Sequence, residues 1–278
     1  MFELKSVAAG VLPARALNVY LSALGSADYH LGRDTRERCR PLLADHLKVP
    51  PRSSSYEFYL SQLCRNLVRW SVPLKHAYWR DSSIRYEWVC EQNIRRCLAD
   101  GRGVIILQSH FGPWPSTVHE FERHGLRMEL TYPLGWPHMS RFDPEARLEF
   151  LRRARRILSN NGIVALMGDV GIIGLNQGLG RVVELPFLGM KMPFPLGCAR
   201  LSALTSSPIV PIFSLRQADG RHFMICTEPI ESSRFEGSES ERAVQMMACY
   251  ASRLEEMVKA YPHNASSYLE FAHRARAA

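Results

Sequence analysis

The sequence predicts an α/β fold: a central, mostly parallel or mixed sheet with helices on both faces, preceded by a helical N-terminal region. Three observations predict it. Short, largely apolar runs at Val104–Gln108, Ile163–Met167 and Ile209–Leu215 have the length and near-continuous apolarity of strands buried on both faces. Stretches with helical periodicity lie between these runs. The first two runs end in clusters of Gly, Pro and Asp, which turn the chain back over the sheet.

Taken in order, residues 1–100 read as helical. In Ser54–Trp70 the side chains Tyr56, Tyr59, Leu60, Leu63, Leu67 and Trp70 recur at three- and four-residue spacings. Tyr86–Ala99, with Trp88, Val89, Ile94, Cys97 and Leu98, reads as another helix, stopped by Asp100-Gly101-Arg102-Gly103. The first strand follows at 104–108. Pro115 suits a first helical position, so Ser116–His124 is a short helix ended by Gly125. Arg127–Tyr132 alternates into a second strand, and Pro144–Asn161 is an amphipathic helix with Leu148, Leu151, Ala154 and Leu158 inward. Ile163–Met167 is a third strand closed by the turn Gly168-Asp169-Val170-Gly171. Ile172–Pro193, rich in glycine, reads as a long loop. Gly197–Thr205 is helical, Ile209–Leu215 and His222–Glu228 are the last strands, and Glu241–Tyr261 is a closing helix. The 278 residues are enough for one large domain, with 1–100 its helical part and 101–278 its α/β core.

An apolar fraction of 46% with 22% charged residues excludes a disordered chain. The formal charge of +8 draws the protein toward something acidic: a membrane surface, nucleic acid, an acidic carrier protein or a phosphorylated cofactor. The same excess also serves simple solubility. Seven scattered cysteines (39, 64, 90, 97, 198, 226 and 249), with no Cys-x-x-Cys pair, argue against a disulfide framework and a zinc knuckle. Free thiols point to the cytoplasm, and no metal site is expected. Met1–Leu31 is interrupted by Lys5, Pro13, Arg15, Ser22 and Asp28, so it is neither a spanning helix nor a signal peptide. Membrane contact would then be peripheral, through an amphipathic face.

The chemistry concentrates after the first strand, in Ser109-His110-Phe111-Gly112-Pro113-Trp114-Pro115. A strand that ends in His110 places an imidazole at the sheet edge where open α/β folds hold ligands. There it is either a general base, able to take a proton from an attacking hydroxyl or amine, or a cap on a turn. A base needs an acid to fix its tautomer. Glu120 and Glu122 follow on the next helix, and Asp169 ends a neighbouring strand. Ser109 is a neighbour of His110 on a strand, so the two point to opposite faces, and no Gly-x-Ser-x-Gly elbow exists; a serine or cysteine hydrolase is excluded on those grounds. Arg147, Arg152, Arg153, Arg155 and Arg156 put a basic cluster on the 144–161 helix, either a solvated face or a seat for phosphate.

Several blocks together carry a resemblance. They are Val104–Pro115; Tyr132-Pro133-Leu134; Asp169–Gly180; Glu184 through Gly189, Gly197 and Pro211 to Phe213; and Tyr261-Pro262 with Tyr268 and His273-Arg274. In this order and spacing, over residues 85–275, the chain resembles the lipid A biosynthesis (lauroyl/myristoyl) acyltransferases of the lysophospholipid acyltransferase superfamily. The resemblance implies a glycerol-3-phosphate acyltransferase-like fold. It implies transfer of an acyl group from a thioester donor, acyl carrier protein (acyl-ACP) or coenzyme A (acyl-CoA), to a hydroxyl or amine acceptor, without a covalent enzyme intermediate or bound cofactor. It implies His110 as base; Asp169 and Glu120, candidates by position, are then the acids that could stand in for the motif acid. Ser109, Gly112, Trp114, Tyr132, Gly189 and Phe194 would then contact substrate, and Arg152, Arg155 and Arg156 the donor. The chain also departs from the family. Pro115 stands where the motif has Asp or Glu, Val170 where it has Gln, and Met192-Pro193-Phe194 where it has Ala-x-Thr; the arginine of Tyr-Arg-Pro-Leu and the usual membrane anchor are missing. These departures point to an acceptor other than a lipid A precursor. Other readings are a non-catalytic scaffold for acyl chains or carrier proteins, and tRNA-dependent aminoacyl transfer; with no RNA-binding motif, nucleic acid is the less expected partner.

Overall fold

Both faces of one sheet are apolar, and most of the molecule is built to cover them. The computed structural model describes residues 14–69, 84–130, 144–169 and 181–269. Its N-terminal helices are α1 (Ala14–Leu31), α2 (Arg33–Arg40), which runs into a π-helical segment at Pro41–His46, and α3 (Ser54–Arg69). Then come β1 (Tyr86–Val89), α4 (Gln92–Ala99), β2 (Val104–Gln108), a 3-10 turn (Trp114–Ser116), α5 (Thr117–Arg123) and β3 (Met128–Leu130). They are followed by α6 (Pro144–Ser159), β4 (Ile163–Met167), β5 (Val182–Phe187), β6 (Met190–Pro195) and α7 (Gly197–Thr205). The last elements are β7 (Ile209–Arg216), β8 (His222–Cys226), α8 (Glu239–Ala260) and two 3-10 turns, Pro262–Asn264 and Ser266–Tyr268.

The six-stranded sheet has the order β1-β8-β7-β2-β4-β3. β2 lies in its middle, parallel to β4 and β7, with Ile105 opposite both Val164 and Ile209. β8 runs antiparallel to β7, and β1 parallel to β8, so the sheet is mixed. Alternation between two covered faces explains why β2 is apolar from Val104 to Leu107. Ile105 and Leu107 join a core formed with α3, α6, α7 and α8, while Val104 and Ile106 join a second core under α4 and α5. On α6, Ala154 and Leu158 are buried while Arg152, Arg153, Arg155 and Arg156 are exposed. α8 starts at Ser238, whose side chain and Glu241 form a reciprocal capping box.

Two sequence expectations are corrected. Tyr86–Val89 is a strand, not the first turn of a helix, so the helical N-terminal part does not extend to residue 100. β8 supplies a parallel partner edge, with Tyr86 opposite His222, and that pairing overrides a local apolar spacing compatible with either state. The expected 172–193 loop contains a hairpin: β5 and β6 pair antiparallel from Val182–Pro195 to Phe187–Met190. Its tip, Leu188-Gly189, has positive φ at both residues (51° and 80°), the backbone of a tight hairpin turn. Leu188 is an unusual residue there, held by its neighbours. Its N–H donates to Glu255 Oε2 (2.8 Å), its carbonyl accepts from His46 Nδ1 (3.1 Å), and its side chain is buried. Residues 170–180, which include the first part of that expected loop, lie outside the described residues. Among the described residues no helix is long and apolar enough to cross a membrane.

The turn after β2 packs hard against β7. Gly112 has φ +62°, and a Cβ added there would sit 1.9 Å from the Ser214 carbonyl oxygen. Phe111 packs edge to face against Phe213 at 6.5 Å, and Phe213 in turn stacks on Tyr250 at 6.4 Å. Gly112→Ala is expected to lower stability by about 3 kcal/mol, since the backbone must shift and adopt a disfavoured φ, and urea unfolding would read it. Phe213→Ala should cost roughly 3–5 kcal/mol in the same measurement by opening a cavity between two rings.

Candidate active site

Strand register brings the site together. Gln108 at the end of β2 pairs with Met167 at the end of the parallel strand β4, so the second residue beyond each strand, His110 and Asp169, occupies the same level of the sheet edge. Gly168 N–H donates to the Gln108 carbonyl at 2.8 Å and carries the ladder one step further. Asp169 then grips His110 twice: its Oδ2 accepts from the His110 backbone N–H (2.6 Å), and its Oδ1 from the imidazole Nδ1 (2.9 Å). A carboxylate only accepts, so in the neutral imidazole the hydrogen belongs on Nδ1, which leaves the lone pair on Nε2. Trp114 meets the imidazole edge to face at 5.1 Å. The histidine keeps 8% of its surface exposed, whereas Asp169 keeps none.

A fully buried carboxylate is costly unless donors surround it. The third donor to Asp169 is the Tyr268 hydroxyl, 2.6 Å from Oδ2. Burial pushes the Tyr250 and Tyr268 hydroxyls well above the ordinary phenol range, and the negative charge of Asp169 adds to it, so both stay protonated and able to donate. Tyr250 donates to the Gln108 carbonyl at 3.0 Å. Its ring lies where a Cβ on Gly168 would be, 2.5 Å from Cε1, so only glycine fits there. Ser109 is buried, with its hydroxyl facing those of Tyr250 and Tyr268 and making no well-formed hydrogen bond. Burial raises the Cys198 thiol to about 12, so it holds its proton rather than serving as a nucleophile.

The remaining candidates are dispersed. Gly112 belongs to the same turn as His110, and its N–H donates to the Asn264 carbonyl at 3.0 Å. Glu120 is buried in a different cluster, where its carboxylate accepts from Trp88 Nε1 (3.1 Å) and from the Arg123 guanidinium and lies 3.2 Å from His124 Nε2; its partners are these groups and not His110. Glu122 is exposed, 3.8 Å from His119 Nδ1. Gly189 sits at the open tip of the hairpin, away from any packed neighbour. Phe194 is fully buried against Phe187 (6.0 Å) and Tyr250 (6.3 Å), so it is part of the core behind Tyr250. Arg152, Arg155 and Arg156 are exposed on α6, while Arg153 pairs with Glu129 at 2.7 Å. Tyr132, Val170, His273 and Arg274 lie outside the described residues. Among the described residues, no group of three or more His, Cys, Asp and Glu side chains could hold a metal ion.

Tyr250 and Asn264 do not stand out in the sequence, because a tyrosine at core spacing on a helix and an asparagine in a turn both have ordinary structural uses. Tyr268 could be noticed only as one aromatic of a weak C-terminal motif. No curated protein matches the chain. The family model described as bacterial lipid A biosynthesis acyltransferase does match, over residues 74–273, a stretch that holds the strands, His110, Asp169 and Tyr268. The chain belongs to that family of acyltransferases.

Proposed function

We propose that the protein moves an acyl group from an acyl-ACP or acyl-CoA thioester to a hydroxyl or amine acceptor other than a lipid A precursor, with His110 as general base and Asp169 as its acid partner. The observation that supports this reading is the two-point grip of Asp169 on His110. It supplies from β4 the orienting carboxylate that Pro115 cannot supply from the turn. Nε2 accepts the acceptor's proton as its oxygen or nitrogen attacks the thioester carbonyl, and Asp169 stabilises the imidazolium that forms. The tetrahedral adduct collapses, the carbon–sulfur bond breaks, and the imidazolium returns its proton to the leaving thiolate. No acyl-enzyme is required.

A changed acceptor fits the departures from the family pattern. Met192 and Phe194 are buried bulky side chains, with Phe194 packed behind Tyr250, so this substitution alters the support of the β2–β4 edge and with it the shape available to the acceptor. The exposed arginines of α6, with Leu151 and Leu204 exposed on α6 and the adjoining α7, suit a donor that carries phosphate and an acidic surface.

With lauroyl-coenzyme A and a panel of small alcohols and amines, His110→Ala is expected to lose about 10²- to 10⁴-fold in turnover while keeping its circular dichroism spectrum. Unchanged turnover would rule out the base role. A wild-type protein that binds acyl carrier protein yet turns over no thioester would point instead to the scaffold. Reversing Arg152, Arg155 and Arg156 to Glu should raise KM for acyl-ACP roughly tenfold and leave an acyl-pantetheine donor, which lacks phosphate, unaffected.

A further inference from the structure

The hydrogen bond from Tyr268 to Asp169 joins residues 99 positions apart in the chain. Tyr268 ends a short 3-10 turn, Ser266–Tyr268, and is fully buried, its ring edge-on to Phe187 at 5.8 Å. Packing by itself does not require the hydroxyl, because phenylalanine would fill the same volume without bringing a polar atom into the core. The same stretch holds the other half of the site. The Asn264 carbonyl accepts from Gly112 N–H (3.0 Å), and its side-chain Oδ1 accepts from Arg216 N–H (2.9 Å), tying the His110 turn to the end of β7.

We propose that Tyr268 is a positioning residue for acyl transfer: through Asp169 its hydroxyl sets the orientation of the His110 imidazole. The proposal rests on His110 being the base. An Asp carboxylate turns readily about its last torsion. Here two donors, Tyr268 Oη and the His110 backbone N–H, both meet Oδ2, so they fix the carboxylate plane and direct Oδ1 at Nδ1. Without the phenol, Oδ2 keeps only the backbone donor, and the plane is free to rock. The other titratable groups packed around this pair are Tyr250 from α8 and, beyond it, Cys198 from α7; the Tyr250 hydroxyl donates to the Gln108 carbonyl and the Cys198 thiol to Met247, so neither takes the place of Tyr268 on the carboxylate.

A double-mutant cycle with lauroyl-coenzyme A tests this. Tyr268→Phe should lower kcat about tenfold with KM nearly unchanged, and should cause no further loss in an Asp169→Ala background. Equal losses in both backgrounds would mean that Tyr268 only supports the fold, and would overturn the proposal. In protein with isotope-labelled histidine, the Nδ1–H resonance that disappears in His110→Ala should move in Tyr268→Phe; an unmoved resonance overturns the proposal without any need for turnover. If His110→Ala is inactive but Tyr268→Phe behaves as wild type, this inference alone fails. If His110→Ala is fully active, the base reading fails with it.

Discussion

The Asp169 carboxylate is the interaction on which the rest of the site depends. It is buried completely, so it must be met by donors or it would destabilise the fold by several kcal/mol. Those donors come from three places: the backbone of His110 after β2, its imidazole, and a phenol from the last turn of the described chain. The carboxylate therefore closes two parallel strands and the C-terminal segment around one point. A group that costs this much to bury also orients an imidazole, so the hydrogen bonds that stabilise the carboxylate also fix the ring.

The parallel register makes that arrangement possible. Gln108 opposite Met167 puts His110 and Asp169 side by side, and the glycines nearby remove the side chains that would obstruct them. Gly168 leaves room for the Tyr250 ring, and Gly112 lets the turn lie on the Ser214 carbonyl. The aromatic cluster of Phe187, Phe194, Phe213, Tyr250 and Tyr268 fills the space behind. Its rings hold the site's polar atoms in a buried, densely packed setting, where hydrogen bonds are directional and strong.

Much of the fold was legible from local pattern. The runs Val104–Gln108, Ile163–Met167 and Ile209–Leu215 are apolar because both faces of the sheet are covered, and length alone separates them from helices. Tyr86–Val89 was not legible, because its strand state depends on β8, more than a hundred residues later in the chain. The 182–195 hairpin was missed for a related reason: its tip residues Leu188-Gly189 do not form a familiar turn dipeptide, and the Leu188 backbone is held from outside the hairpin by His46 and Glu255. In the site, the imidazole at a strand end and the acid at the next strand end could both be read from position. Glu120 was also a candidate acid, nearer in sequence, but its carboxylate faces Trp88, Arg123 and His124.

By itself the sequence determined the α/β class, the strands in the middle of the sheet, the kinship of the chain, and the presence of His110 at the end of β2, because each follows from periodicity or from the order of short blocks. Only the tertiary structure decided which of the acids reaches His110 and which distant side chain steadies that acid. Hydrogen bonds are set by position within a few tenths of an ångström, and such positions emerge only once strand register, aromatic packing and the return of the C-terminal turn are all in place.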